Sequence, residues 1–123
     1  MLLNPGTRYD FNGESLTYPD IRLIYWAGGN PFHHQDLNRL RKAWAKPETI
    51  IVNESVWTAT ARHADIVFPA TTSLERNDLG GGSWDTYLSP MHKVVEPYAQ
   101  SRDDYAICSG LAERLGLKEE FTE

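Results

Sequence analysis

Residues 22–40, RLIYWAGGNPFHHQDLNRL, and residues 49–78, TIIVNESVWTATARHADIVFPATTSLERND, decide how this chain folds. Arg22 to Ala27 is a nearly continuous apolar run stopped by Gly28-Gly29-Asn30-Pro31, which predicts a strand buried on both faces and ended by a turn. From Gln35 to Lys46 the apolar residues Leu37, Leu40, Ala43 and Trp44 recur at helical spacing, and Pro47 closes the segment. Arg39, Arg41 and Lys42 then form the solvated face of that helix. Thr49 to Val52 reads as a second buried strand, Thr58 to His63 as a short helix, and Ile66 to Phe68 as a third strand halted by Pro69. Strand, helix, strand, helix, strand is the order of right-handed βαβ crossovers. The expected fold is therefore α/β, a parallel doubly wound (Rossmann-like) sheet with flanking helices.

Outward from this centre, residues 1–20 read as a connecting segment with a hairpin turn at Asn12-Gly13. Residues 21–118 are the expected α/β domain and residues 119–123 a tail. Gly80-Gly81-Gly82 predicts a flexible loop and His92 to Val95 a further strand. Ser101 is placed to cap a helix from about Arg102 to Leu115, with Asp103 and Asp104 in its first turn and Gly116 at its end.

With 123 residues and 14.0 kDa, the chain has room for one core but not for a separate catalytic domain. A net charge of -5 argues against a phosphate-backbone binder, so no nucleic-acid partner is expected. No apolar run approaches the roughly 20 residues that span a bilayer, so no membrane partner is expected either. The lone Cys108 excludes an internal disulfide and a thiolate metal cluster, and its apolar helical setting predicts a buried, inert thiol.

In an open parallel sheet, ligands bind beyond the carboxyl ends of the strands. Gly28 and Gly29 stand there after the first strand, where the absence of a Cβ lets backbone approach a phosphate or ring edge, and Asn30 can donate and accept. The turn also suits any tight βα connection, and it is neither a dinucleotide Gly-x-Gly-x-x-Gly fingerprint nor a P-loop. His33, His34 and Gln35 follow at the helix start, as anion donors or as plain helix caps. Adjacent histidines diverge and no cysteine completes a tetrahedral site, so no metal ligand is assigned.

Asn53, Glu54 and Ser55 occupy the second turn, where a carboxylate can meet ribose hydroxyls or the residues can simply cap the next helix; Thr58 completes the candidate set. His63 and Asp65 lack a partner nucleophile, and Asp103 and Asp104 point about 100° apart on a helix, so no catalytic residue is assigned. One aspartate could instead pair with the N1–H and N2–H donors of guanine.

The strings YWAGGNPF, HHQDLNRL, WTATARHADIV and PATTSLERND closely resemble the dimethyl sulfoxide reductase family of molybdopterin-guanine-dinucleotide oxidoreductases, especially its biotin sulfoxide and trimethylamine N-oxide reductase branch. The likeness runs from about Thr17 to Gly116. It implies the third of four domains around molybdenum held by two pterin guanine dinucleotides, an α/β unit that binds one of them. Gly28, Gly29 and Asn30 are then implied near the pterin and pyrophosphate, with polar contacts from His33 and Gln35. Asn53 and Glu54 are implied at the ribose and Asp104 at the guanine. The family often shows Gln-Asp where this chain has Asn53-Glu54, and one more residue after Phe32.

The serine that ligates molybdenum in this branch belongs to another domain. The chain is accordingly expected to be a fragment of an S-oxide or N-oxide reductase, not catalytically competent alone and without necessarily binding the cofactor by itself. Its expected partners are the remaining domains of that enzyme, or further copies of itself through uncovered apolar surface. The alternative is a free-standing nucleotide-binding or assembly module without molybdenum. The compartment is open between cytoplasm and periplasm, with cytoplasm preferred.

Overall fold

A computed structural model of the protein describes residues 1–33 and 36–122. The chain divides into two compact units, Met1–Val52 with Trp57–Val67, and Asn53–Val56 with Phe68–Glu123. The architecture is mixed α/β: a three-stranded parallel sheet, two two-stranded antiparallel sheets and few helices.

The first unit opens on a hairpin, β1 (Arg8–Phe11) against β2 (Glu14–Thr17), whose register places Phe11 opposite Glu14. Asn12 and Gly13 form the two-residue turn between them with φ of +52° and +84°, the left-handed pair that matches strand twist. The expected Asn12-Gly13 turn is thus present. β3 (Leu23–Ala27) follows, then a 3-10 turn (Pro31–His33), α1 (Leu37–Trp44) and the start of β4 (Thr49–Glu54).

Asp36 caps α1 by accepting the Arg39 N–H at 3.2 Å. Arg39, Arg41 and Lys42 lie on its exposed face, as the spacing predicts. Trp44, at the helix end, is buried with Phe32, Ile50 and Val52, and Ile24, Trp26, Leu40 and Ala64 pack around them. The rings of Trp26 and Phe32 each meet Trp44 edge-on at 5.7 Å, the arrangement favoured by the aromatic quadrupole. This is the core of the first unit.

The parallel sheet has the order β3-β4-β5, with β5 at Ile66–Pro69. The Asp65 N–H reaches the Ile50 carbonyl at 2.9 Å and the Ala70 N–H reaches that of Glu54 at 3.1 Å, so β4 and β5 advance in the same direction. Burial on both faces is not what β3 shows. Ile24 and Trp26 turn inward, but Leu23 is 55% exposed and Tyr25 37%. An apolar run alone cannot say whether a second layer covers the strand.

In the second unit, β6 (Asp78–Gly80) pairs antiparallel with β7 (Ser89–Met91). Two expectations change here. The triple glycine is not simply a loose loop, because Gly80 ends a strand, and a Cβ on Gly81 would stand 2.9 Å from the Leu88 side chain and one on Gly82 2.6 Å from the Asp85 carboxylate. The strand expected at His92–Val95 lies earlier, at Ser89–Met91. The amides of Val94 and Val95 go to the Leu74 carbonyl and that of Lys93 to Asn77 Oδ1, which takes them out of the ladder.

α2 (Asp104–Leu115) begins two residues later than expected, capped by Asp103 rather than Ser101. Asp103 adopts extended backbone and accepts the Ala106 N–H at 2.7 Å. Gly116, at φ +74°, ends the helix as expected, and α3 (Lys118–Phe121) follows.

Candidate functional site

The turn after β3 is built by the first unit alone. Gly28 and Gly29 are both left-handed, at φ +81° and +71°, and a Cβ on either would meet nothing within 4 Å among the described residues. The Trp26 indole N–H holds the Gly29 carbonyl at 3.2 Å.

Asn30 organises the turn. Its Oδ1 accepts the Phe32 N–H at 3.1 Å and the hydroxyl of Thr60, a side chain with 0% exposure. Its Nδ2 lies 3.2 Å from His33 Nε2. With Oδ1 occupied by two donors, Nδ2 must donate, so His33 Nε2 accepts and the ring hydrogen sits on Nδ1. Among the described residues of this turn, the His33 ring is exposed and Asn30 half-buried. Gln35, like His34, lies outside the described residues.

Around the turn, the His63 ring stacks on Phe32 with centroids 4.3 Å apart, and its Nδ1 is 2.7 Å from the Ala59 carbonyl. Thr58 accepts the Ala61 N–H at 3.2 Å, closing the 3-10 turn Ala61–His63 where the sequence predicts a short helix. Thr60 is the residue that sequence reasoning missed. Its partner is thirty positions away and nothing in the local pattern signals the pairing.

The other candidates belong to the second unit. Asn53 and Glu54 complete β4, so the strand runs two residues further than expected. Asn53 is 4% exposed, and its Nδ2 donates to Asp104 Oδ1 at 2.9 Å. Glu54 Oε1 accepts the Ser55 N–H at 3.1 Å. Adjacent aspartates thus divide their work, Asp103 capping the helix and Asp104 reaching back to β4. The structure brings Asn53 and Asp104 together, and in the first unit Asn30 with His33.

The string PATTSLERND knits its own loop. Glu75 Oε2 accepts both the Thr72 N–H and hydroxyl, at 2.8 and 2.9 Å, and Oε1 accepts the Tyr98 N–H at 2.9 Å. The Thr72 amide, then its hydroxyl, then the Tyr98 amide hold the Glu75 carboxyl below its ordinary range. Arg76 bonds Asp78 at 2.8 Å and the Thr71 carbonyl at 2.6 Å. That guanidinium, with the Leu79 amide, likewise lowers the Asp78 carboxyl. A cleft of about 790 Å³ opens between Phe68, Pro69, residues 99–102 and one face of α2, with Arg102 and Arg114 among its walls.

Among the described residues no group of three or more His, Cys, Asp or Glu could hold a metal ion, and no helix is long and apolar enough to cross a membrane. A carboxylate held by a buried amide, as Asp104 is by Asn53, is a group that can bind and orient a polar ligand.

The family model described as Molybdopterin oxidoreductase matches residues 5–114. A dimethyl sulfoxide/trimethylamine N-oxide reductase of Cereibacter sphaeroides is 60% identical over 126 residues, covering 100% of this chain and 15% of that protein. A biotin sulfoxide reductase of the same organism is 53% identical over 124 residues, covering 100% of this chain and 17% of the relative. A trimethylamine-N-oxide reductase of Haemophilus influenzae is 54% identical over 126 residues, again covering 100% of this chain and 15% of the relative. Among solved structures, acetylene hydratase from Pelobacter acetylenicus superposes with a TM-score of 0.72 at 26% identity, over 85% of this chain and 14% of that one. The chain spans about 15–17% of the length of these reductases.

Proposed function

Because the chain belongs to the molybdopterin oxidoreductase family, we propose that it is the third, α/β domain of a larger molybdenum reductase and there binds one of two molybdopterin guanine dinucleotides. Membership implies a molybdopterin cofactor in the parent enzyme. The single observation that carries the proposal is the match of the whole chain, at 53–60% identity, to reductases named for S-oxides and N-oxides. The whole enzyme would take up two electrons and two protons, release water and leave the sulfide or amine. The three parallel strands would belong to a doubly wound sheet, with residues 21–118 as the dinucleotide-binding domain.

The residues present fit such a group. Two left-handed glycines suit close backbone approach to a pyrophosphate, and Asp104 supplies the carboxylate that a guanine edge requires. In the first unit Gly28, Gly29, Asn30, His33 and Thr58 would contact the pterin and pyrophosphate, with Gln35. In the second, Asn53, Glu54 and Ser55 would line the ribose end and Asp104 the guanine. When bound, the cofactor supplies the dithiolene sulfurs that hold molybdenum, and this chain's residues fix the direction from which they do so.

The partners would be the remaining domains of the parent. Leu23 and Tyr25 on β3, and Trp84, Tyr87 and Tyr98 in the second unit at 97%, 82% and 81% exposure, are the apolar surface those domains would cover. The same surface would make the isolated chain self-associate. Capture of the native gene product with an antibody against this segment, followed by intact mass and assays for molybdenum and guanine nucleotide, tests the reading. A product several times heavier than 14.0 kDa carrying both supports it. A free product near that mass without molybdenum overturns it and leaves a nucleotide-binding or assembly module.

A further inference from the structure

We propose that Asn53 is a positioning residue that orients the Asp104 carboxylate to read the paired N1–H and N2–H donors of a guanine base, a role that rests on the dinucleotide-binding reading above. Asp104 is the first residue of α2 and is exposed, a place where an unrestrained carboxylate samples several rotamers. Asn53 removes that freedom. Its side chain is 4% exposed, it belongs to a strand, and its Nδ2 donates to Asp104 Oδ1 at 2.9 Å.

The geometry leaves the reading edge available. A carboxylate oxygen has two lone pairs, so Oδ1 can accept from Asn53 and still accept a second hydrogen, while Oδ2 takes the other. Guanine presents two parallel N–H donors that match such a two-oxygen edge. Hypoxanthine presents one and adenine offers no N1–H. The neighbouring Asp103 does not compete, because its carboxylate is committed to the Ala106 amide at 2.7 Å. Asn53 would therefore act on base selectivity through Asp104, without itself touching the base.

The test is titration of the isotope-labelled full chain with GMP, IMP and AMP, following amide and carboxylate resonances of the second unit. Wild type should bind GMP about tenfold or more tighter than IMP, the worth of one charge-assisted hydrogen bond of about 1.5–3 kcal/mol. Asn53→Leu, close in volume and lacking the donor, should bring the GMP to IMP ratio toward one and should shift the Asp104 carboxylate resonance. Asn53→Gln keeps a donor and should retain part of the preference, which a merely structural loss would not restore.

Should Asp104→Asn abolish the preference while both Asn53→Leu and Asn53→Ala keep it, the positioning role is wrong and the guanine assignment stands. Binding of GMP without any change at Asp104 in wild type overturns the guanine assignment and this inference with it.

Discussion

Asn30→Ala should cost this chain about 1.5–4.5 kcal/mol, because it strands a buried hydroxyl. Asn30 Oδ1 accepts from the Phe32 amide at 3.1 Å and from Thr60, whose exposure is 0%. Loss of the Phe32 bond is a neutral hydrogen bond worth about 0.5–1.5 kcal/mol, and leaving the Thr60 hydroxyl buried without a partner adds about 1–3 kcal/mol. Thr60→Val removes the hydroxyl together with its need and keeps the shape, while Asn30 retains Phe32, so that change should cost only about 0.5–1.5 kcal/mol. The double variant contains no stranded group. It should be less destabilised than the sum of the singles by about 1–3 kcal/mol, well above the 0.3–0.5 kcal/mol scatter of independent sites. Urea unfolding followed by tryptophan fluorescence, with buried Trp44 as the responsive reporter, measures all four corners of the cycle. Strict additivity would refute the reasoning, since it would mean that Thr60 finds another partner when Asn30 is gone.

Thr71 poses the opposite case, a hydroxyl buried at 4% exposure with no hydrogen-bond partner among the described residues, so Thr71→Val should raise stability by about 1 kcal/mol in the same assay. Glu75 has a folded pKa below its ordinary 4.5, so its contribution is fully present above pH 4.5 and is lost as pH falls through the folded value. Glu75→Gln should therefore lower stability at neutral pH and flatten its fall below pH 4.5; an unchanged acid slope would count against the Thr72 and Tyr98 bonds. Asp103→Ala should cost about 1 kcal/mol as a lost helix cap, and Ser101→Ala less than about 0.5 kcal/mol, a contrast that thermal unfolding would expose. The reverse order would restore Ser101 as the cap.

Much of the α/β order was legible in residues 22–78, since Leu23–Ala27, Thr49–Val52 and Ile66–Phe68 are strands and Leu37–Trp44 is a helix. The Asn12-Gly13 hairpin was equally legible, because only a left-handed pair closes a two-residue turn with the right twist. The segment after Asp78 was read less well. Its strand pairing and its glycine packing depend on Leu74, Asn77, Asp85 and Leu88, none of which a periodicity can connect to its partner.

Sequence by itself determined the family and the local devices: apolar runs, glycine turns, Gly116 at a helix end, and four strings long enough to mark a molybdopterin oxidoreductase. These are short-range properties, set by backbone sterics and by residue identity along the chain. Tertiary structure alone decided that Asn30 holds Thr60, that Asn53 holds Asp104 and that Leu23 is more than half exposed. Such pairings join positions thirty or fifty residues apart, and a hydrogen bond or a buried face depends on where the folded backbone carries its atoms.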